Sequence, residues 1–286
     1  MAKLTYNLQM PENRTTSVVF ASPHSGRNYP WVFLRKSVLN SIKIRSSEDA
    51  FVDMLFADVP SFGAPFLSAL TPRAYVDLNR NFDELDPALI QGHRNTSYNP
   101  RVASGLGVIP RVVSNGRAIY RGKISRLDVD ARLKAHWHPY HNILSDLMDQ
   151  NRQNFGQSIL IDCHSMPHAA IDNVTKIGHS RAEVVLGDRF GAAADENIVS
   201  RIESIFTSAG LKVIRNTPFA GAYISQKYGQ PEQGRHAVQI EIDRSLYMNE
   251  QKIQPNGNFS NFKALISNVA AEIAEIGKQD LALVAE

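Results

Sequence analysis

Four side chains with metal or acid–base chemistry lie at the ends of predicted elements or, in one case, within a predicted strand. His24 and His164 each follow a short apolar run, Glu241 lies in a late alternating run, and Glu48 stands at an expected helix start. Two imidazoles and a carboxylate are ligands typical of a catalytic zinc ion, which keeps a fourth position for water. Glu241 is then free to take a proton from that water, so the set predicts metal-assisted amide hydrolysis.

Each of these residues also has a purely structural interpretation. A histidine at a strand end is more often hydrogen-bonded within the fold than bound to a metal. Glu48 on a first helical turn would complement the helix dipole, and Asp162 is consistent with a hydrogen-bonded core carboxylate. The residues alone therefore leave a zinc site and a structural set as alternatives.

A second group of residues suits the binding of a carboxylate. Arg73, Asn79 and Arg80 lie around residues 74–78, which are predicted to form a strand. A guanidinium binds a carboxylate through two parallel hydrogen bonds and stays protonated. Arg80 and Asn79 are therefore candidates for holding an acidic substrate, and the alternative is a structural ion pair with Asp77.

The elements that must position these residues alternate between strands and helices. Strands are predicted over residues 17–21, 74–78, 158–161, 183–186, 211–214 and 236–243. Helices are predicted from Ser46 or Ser47 onward, over 128–154 in two pieces divided near Pro139, over 195–209 and over 262–276. Residues 79–101 and 216–234 are expected to be loops, the second able to close over a ligand. This order predicts a three-layer α/β/α sandwich with a mostly parallel mixed sheet, whose functional residues gather at the carboxyl ends of strands.

Composition narrows the class of protein. With 286 residues, 43% hydrophobic and 21% charged, the chain is typical of a globular protein, and we expect one compact domain over residues 1–286 or two that pack closely together. A net charge of +3 is too small for a protein held to nucleic acid by phosphate neutralisation. The single cysteine fits a cytoplasmic location. No run approaches the ~18 apolar residues of a membrane span, and no oligomeric state is indicated.

Five sequence blocks, taken together and in order, carry a resemblance to a known family. They are Ser-Pro-His-Ser-Gly (22–26), Ser-Glu-Asp-Ala-Phe-Val-Asp (47–53), Pro-Arg-Ala-Tyr-Val-Asp-Leu-Asn-Arg (72–80), Asp-Cys-His-Ser-Met-Pro (162–167) and Gln-Ile-Glu-Ile-Asp-Arg-Ser-Leu-Tyr-Met (239–248). Together they resemble the N-formylglutamate amidohydrolase family. The resemblance implies zinc-dependent hydrolysis of N-formyl-L-glutamate to formate and glutamate in histidine degradation. It also implies a fold similar to zinc carboxypeptidases and aspartoacylases.

The resemblance also bears on the residues that hold metal and substrate. Residues 77–82 are similar to the asparagine-arginine motif by which carboxypeptidases grip a terminal carboxylate, which favours Asn79 and Arg80 in that role. Carboxypeptidases take their first two ligands from His-x-x-Glu, and no such spacing follows His24. The acidic ligand must come from elsewhere. Glu48 is chosen by position, with Asp49 as the alternative one residue away.

The sequence contains further histidines and arginines outside the proposed metal set. His136, His138 and His141 are explained by the end of an amphipathic helix rather than by metal binding, and His168 is placed near the substrate. The developing oxyanion of the formyl group needs a positive partner besides zinc. Candidates for that role, or for the second substrate carboxylate, are Arg73, Arg111 and Arg121.

The sequence therefore predicts a cytoplasmic zinc amidohydrolase that acts on a small carboxylate substrate. His24, Glu48 and His164 hold the metal and Glu241 is the general base. A first alternative keeps the metal and changes the substrate to another N-acyl amino acid or a peptide C-terminus. A second alternative, from another class, is a noncatalytic protein that binds a small acid.

Overall fold

Seven strands form the central sheet of the computed structural model, which describes residues 4–94, 98–172 and 181–278. The sheet order is β1-β3-β2-β6-β9-β7-β8, and two short ladders, β4-β5 and β10-β11, lie outside it. The strands are β1 Tyr6–Gln9, β2 Val18–Ser22, β3 Phe66–Ala69, β4 Val112–Val113, β5 Arg117–Ala118, β6 Ser158–Met166, β7 Val184–Gly187, β8 Val213–Arg215, β9 Arg235–Asp243, β10 Met248–Asn249 and β11 Gln254–Pro255.

The middle of the sheet is parallel and its margins are not. Strands β3, β2, β6 and β9 run in one direction, whereas β1 is antiparallel to β3 and β7 is antiparallel to β9. Strand β8 pairs in parallel with β7. The predicted mixed, mostly parallel sheet is therefore confirmed. Because β2, β6 and β9 are parallel neighbours, their carboxyl ends meet at one edge.

Helices cover both faces of this sheet. They are α1 Trp31–Lys36, α2 Val52–Leu55, α3 Pro100–Ala103, α4 Arg126–Arg132, α5 His138–Phe155, α6 Glu196–Ser208, α7 Tyr223–Tyr228 and α8 Phe259–Ile276. One apolar cluster joins α2, α6 and α8 to the sheet, and a second joins α4, α5 and α7 to the opposite face. These two clusters confirm the three-layer arrangement. No helix in the described ranges is both long and apolar enough for a membrane crossing.

Alternation along the central strands decides which side chains reach the functional edge. In β6, Ile159 and Ile161 pack toward α2, α6 and α8, whereas Leu160 packs toward α4 and α5. In β9, Val238 and Ile240 belong to the first of these faces and Ala237 to the second. Since side chains alternate with a period of two, Asp162, His164, Gln239 and Glu241 continue the second face.

The predicted division of the long helical segment near Pro139 is confirmed. Helix α4 ends at Arg132, one π-helical turn spans Leu133–Trp137, and α5 then begins at His138. Proline has no N–H to donate into the preceding turn, and its ring crowds the carbonyl four residues earlier. The wider turn accommodates that missing hydrogen bond.

The strand predicted at residues 74–78 is wrong. The strand of this region lies earlier in the chain, at β3, Phe66–Ala69. Residues 72–76 form a turn, in which the amides of Tyr75 and Val76 both donate to the carbonyl of Pro72. Ala74, Val76 and Leu78 are nevertheless buried. The alternating apolar pattern therefore reflects burial of a loop rather than strand pairing.

The helix predicted from Ser46 or Ser47 is also wrong. Only α2, Val52–Leu55, is α-helical there, and Phe51 before it has a φ of 68°. That left-handed conformation costs a non-glycine residue roughly 1–2 kcal/mol, and it interrupts any helix that would run through residues 46–51. The amide of Asp49 donates to the carbonyl of His24, which ties this turn to the end of β2.

The expected loops are confirmed in part. The described residues of 79–101 contain few regular elements besides the start of α3. The segment 216–234, predicted as a loop, instead contains α7 and a short 3₁₀ helix at Pro231–Gln233. Ile224 and Tyr228 of α7 are buried against the sheet, which explains why the segment folds.

Truncation of Leu160 in β6 tests the core. This side chain is fully buried in the second cluster, and Leu160→Ala is expected to lower the free energy of unfolding by about 2–5 kcal/mol, since it removes apolar contacts and leaves a cavity. Chemical denaturation gives the difference. Leu127→Ala is the control, because Leu127 is 80% exposed and should change stability by less than about 0.5 kcal/mol. Equal effects of the two substitutions would contradict this core.

Candidate active site

Two histidines and an aspartate converge at the carboxyl ends of β2 and β6. Asp49 Oδ2 lies 2.9 Å from His164 Nδ1 and 3.5 Å from His24 Nδ1. Taken together, the three ligand atoms lie within 4.8 Å of one another, and all three residues are buried. The predicted meeting of His24 and His164 is found, and with Asp49 they form a set that could hold a divalent ion.

Two further carboxylates face the outer nitrogens of these histidines. Asp77 Oδ1 lies 2.7 Å from His24 Nε2, and Asp162 Oδ2 lies 3.0 Å from His164 Nε2. The hydrogen bond between Asp77 and His24 Nε2 favours the tautomer whose proton is on that nitrogen, so that His24 Nδ1 directs a lone pair inward. His24 Nδ1 is buried without a hydrogen-bond partner among the described residues. An unpaired acceptor of this kind fits a metal ligand.

The charges in this centre are strongly coupled. Burial disfavours a charged His164, but Asp162 and Asp49 outweigh burial and raise its pKa well above the usual range. Burial likewise opposes ionisation of Asp49, and the two histidines outweigh it, so that its pKa lies well below the usual range. The two pKa shifts have the same cause, because the buried carboxylates of Asp49 and Asp162 are stabilised by a positive charge that lies between them. A divalent ion can supply that charge.

The structure does not bring Glu48 to the histidines. Its carboxylate receives hydrogen bonds from Arg45 Nε at 2.9 Å and from the Tyr29 hydroxyl at 2.6 Å. Asp49, the alternative one residue away, takes the place beside His24 and His164 because residues 46–51 form a turn rather than a helix. The assignment of Glu48 is therefore corrected to Asp49, and Arg45, three residues before Glu48, is the signal that could have separated them.

Arg244 holds the outer oxygen of Asp49 and was missed by sequence reasoning. Its Nη2 lies 2.9 Å from Asp49 Oδ1, and its Nε donates to the hydroxyl of Ser165 at 3.1 Å. The Arg244 side chain is 6% exposed. It fixes the carboxylate so that Oδ2 faces the histidines.

Glu241 lies directly opposite His164 in the ladder between β6 and β9. Its Oε1 accepts a hydrogen bond of 3.0 Å from Gln239. Burial raises the pKa of Glu241 to about 7, with a further increase from the charge of Asp49 and an opposing effect of His164. A carboxylate with a pKa near neutrality suits a general base that later returns its proton.

A cavity of about 570 Å³ opens over these groups. Its lining includes His24, His164, Asn79 and Glu241, together with four arginines and an apolar wall. The arginines are Arg73, Arg80, Arg101 and Arg244. The size is ordinary for a site that encloses a small molecule.

Part of the wall comes from segment 216–234, at Phe219–Ala222. This wall approaches β7 closely at Gly187, where an added Cβ would lie 2.7 Å from the amide nitrogen of Gly221 and 2.8 Å from the carbonyl oxygen of Phe219. A glycine at the end of β7 is therefore required for the wall to stand where it does.

Three of the predicted substrate-binding residues are brought to this cavity. Arg80 Nε donates to the carbonyl of Leu106 at 3.0 Å, and its Nη1 donates to the carbonyl of Asn79 at 2.7 Å. The Asn79 side chain accepts the amide of Ile224 at 2.8 Å. Arg73 rather than Arg80 pairs with Asp77, at 3.0 Å. The alternative of an Arg80–Asp77 ion pair is therefore not found.

Two other arginines proposed from the sequence stand elsewhere. Arg121 is exposed and is not among the residues that line this cavity. Arg111 pairs with Asp86 at 2.8 Å. Arg101, which the sequence did not single out, does line the cavity.

Three other histidines of the described residues make contacts within the fold. His136 Nδ1 lies 2.7 Å from the hydroxyl of Thr71, and His141 lies 2.9 Å from both the Tyr228 hydroxyl and the Leu78 carbonyl. His168 lies 2.7 Å from Asp243. These contacts agree with the structural interpretation of His136 and His141, whereas His168 is not among the residues that line the cavity.

Comparison with known proteins gives consistent matches. Residues 16–248 match the family model described as N-formylglutamate amidohydrolase. N-formylglutamate deformylase of Pseudomonas aeruginosa is 28% identical over 242 residues, which are 82% of this chain and 83% of that protein. The Pseudomonas putida deformylase is 25% identical over 240 residues, 82% of each protein. A crystal structure of N-formylglutamate amidohydrolase from Ralstonia eutropha JMP134 superposes with a TM-score of 0.89 at 32% identity, over 97% of this chain and 99% of that one.

Metal analysis can decide whether Glu48 or Asp49 is the acidic metal ligand. Substitution of a residue that only hydrogen-bonds a metal ligand typically reduces metal affinity by roughly 10–100-fold. Asp49→Asn should reduce it by more, because a charged ligand oxygen is lost. Glu48→Gln should retain the ion, because its partners are Arg45 and Tyr29. Metal content after dialysis and a zinc titration give the comparison. Retention by Asp49→Asn with loss by Glu48→Gln would return the assignment to Glu48.

Proposed function

Because this chain belongs to the N-formylglutamate amidohydrolase family, we propose that it hydrolyses N-formyl-L-glutamate to formate and L-glutamate. The observation that carries the proposal is the buried set His24, Asp49 and His164 with Glu241 on the adjoining strand. The deformylases that resemble the chain support the same substrate. A role in histidine degradation and a cytoplasmic location go with this proposal.

We infer that His24 Nδ1, Asp49 Oδ2 and His164 Nδ1 hold a zinc ion. Two imidazole nitrogens and one carboxylate oxygen are a donor set that zinc accepts, with a position left open. The unpaired, buried His24 Nδ1 supports this assignment. When bound, such an ion polarises a carbonyl and lowers the pKa of water.

Glu241 is assigned to proton transfer. Its carboxylate accepts a proton from the water that attacks the formyl carbon, and an oxygen–carbon bond forms. The same proton then goes to the amide nitrogen as the carbon–nitrogen bond breaks, which releases formate and the free amine of glutamate. A pKa of about 7 allows the group to accept and to release the proton near neutral pH.

Arginines of the cavity position the substrate. Arg80, with Asn79, is assigned to a substrate carboxylate, since two main-chain carbonyls fix the orientation of its guanidinium. Arg73 lines the cavity and its charge acts on Glu241. A fixed positive group at that place suits the negative charge that develops on the formyl oxygen.

Removal of the base is expected to abolish most turnover. Glu241→Gln keeps the shape of the side chain but cannot accept the proton, so formate release should fall by about 10²–10⁴-fold. Formate is measured by a coupled dehydrogenase assay, and metal content is measured on the same sample. Exposed Glu272→Gln in α8 is the matched control. Unchanged turnover in Glu241→Gln would remove the base assignment.

The pH profile should report the same group. Since the active form of Glu241 is deprotonated and its pKa is raised to about 7, kcat/KM is expected to increase with pH through neutrality and to be low in acid. The measurement is initial rates of formate release between about pH 5.5 and 8.5. The residual activity of Glu241→Gln should lack this rise. A rate that falls from pH 6 to 8 contradicts the assignment.

A further inference from the structure

The four arginines of the cavity differ in whether an acidic side chain already neutralises them. Arg73 pairs with Asp77 at 3.0 Å, and Arg244 pairs with Asp49 at 2.9 Å. Each of these guanidinium groups therefore has its charge balanced within the protein. A substrate carboxylate would have to compete with the carboxylate already present.

The other two arginines of the cavity, Arg80 and Arg101, have no such acidic partner among the described residues. Arg80 donates to main-chain oxygens and has no ion pair with any residue in the described part of the chain. Arg101 is exposed, lines the cavity, and makes no side-chain hydrogen bond or ion pair within the described ranges. Two guanidinium charges of the cavity thus remain for a ligand to neutralise.

One short turn holds both the guanidinium of Arg80 and the backbone of Arg101. Leu106 accepts a hydrogen bond of 3.0 Å from Arg80 Nε at its carbonyl, and its amide donates to the carbonyl of Arg101 at 2.9 Å. The side chain of Asn99 caps α3 by accepting the amides of Arg101 and Val102. The backbone that carries Arg101 is therefore tied to the guanidinium of Arg80.

The two charges also influence each other. Burial lowers the pKa of Arg80, the charge of Asp77 opposes this, and the like charges of Arg73 and Arg101 lower the pKa further. Two like charges held near each other repel in the free protein, and a ligand with two negative groups relieves that repulsion at both. A dianion fits this arrangement better than a monoanion.

We infer that Arg101 binds the side-chain carboxylate of the substrate while Arg80 binds the α-carboxylate, so that Arg101 selects N-acyl derivatives of a dicarboxylic amino acid. This inference rests on the proposed function. Arg101 takes the role in binding the second carboxylate for which Arg111 and Arg121 were candidates. Arg111 is paired with Asp86, and Arg121 does not line the cavity. A charge-assisted hydrogen bond to carboxylate supplies the discrimination.

Substrates of equal shape and different charge test this role. N-formyl-L-glutamine replaces the side-chain carboxylate by a neutral amide and keeps the rest of the substrate. For Arg101→Gln, kcat/KM with N-formyl-L-glutamate should fall by about tenfold or more, whereas kcat/KM with N-formyl-L-glutamine should change by less than about twofold. Arg152→Gln is the control, because Arg152 is an exposed arginine of α5 that does not line the cavity. It should leave both values unchanged.

The outcomes separate the inference from the function on which it rests. A wild-type protein that hydrolyses N-formyl-L-glutamate but keeps the same preference in Arg101→Gln overturns the role of Arg101 alone. A wild-type protein that releases no formate overturns the proposed function. In that case calorimetric binding of glutarate and of its monoamide to the three proteins decides the role of Arg101, because loss of preference for the dianion supports it and an unchanged preference overturns it.

Discussion

Three potential ligand atoms that lie close together inside the protein are the constraint on which the rest of the site depends. His24 Nδ1, His164 Nδ1 and Asp49 Oδ2 are buried, and a buried carboxylate among them needs positive charge beside it, from a proton on His164 or from a bound cation. Asp77 fixes the ring of His24, Asp49 itself fixes that of His164, and Arg244 fixes the far oxygen of Asp49. The surroundings therefore hold the three atoms in place before any ligand arrives, which lowers the cost of binding one.

The sheet makes this convergence possible. Strands β2, β6 and β9 are parallel neighbours, so polar residues at their carboxyl ends share one edge while the apolar residues of the same strands fill two separate cores. The nine-residue ladder between β6 and β9 sets Glu241 beside His164. A shift of one residue in that ladder would turn Glu241 to the other face. The proton-transfer group is thus placed by strand register rather than by a loop.

Pattern reasoning from the sequence located the strand-end histidines and Glu241, because alternation and strand termini are local signals. It failed where distant packing decides the local backbone. The turn at residues 46–51 depends on the hydrogen bond between Asp49 and His24, and a one-residue difference there exchanged Glu48 for Asp49. The buried loop at 74–78 alternates like a strand without pairing. Arg101 lies outside the five sequence blocks and Arg244 lies within the last of them, but neither has a spacing that indicates its role. Only the assembled cavity shows that Arg101 has no ion-paired acid among the described residues and that Arg244 pairs with Asp49.

Gly187 connects the sheet to the dimensions of the cavity. The segment at residues 219–221 can lie against the end of β7 only because position 187 has no side chain. A single methyl group added there would displace the wall. The room available to the ligand is therefore set in part by a glycine that does not itself line the cavity.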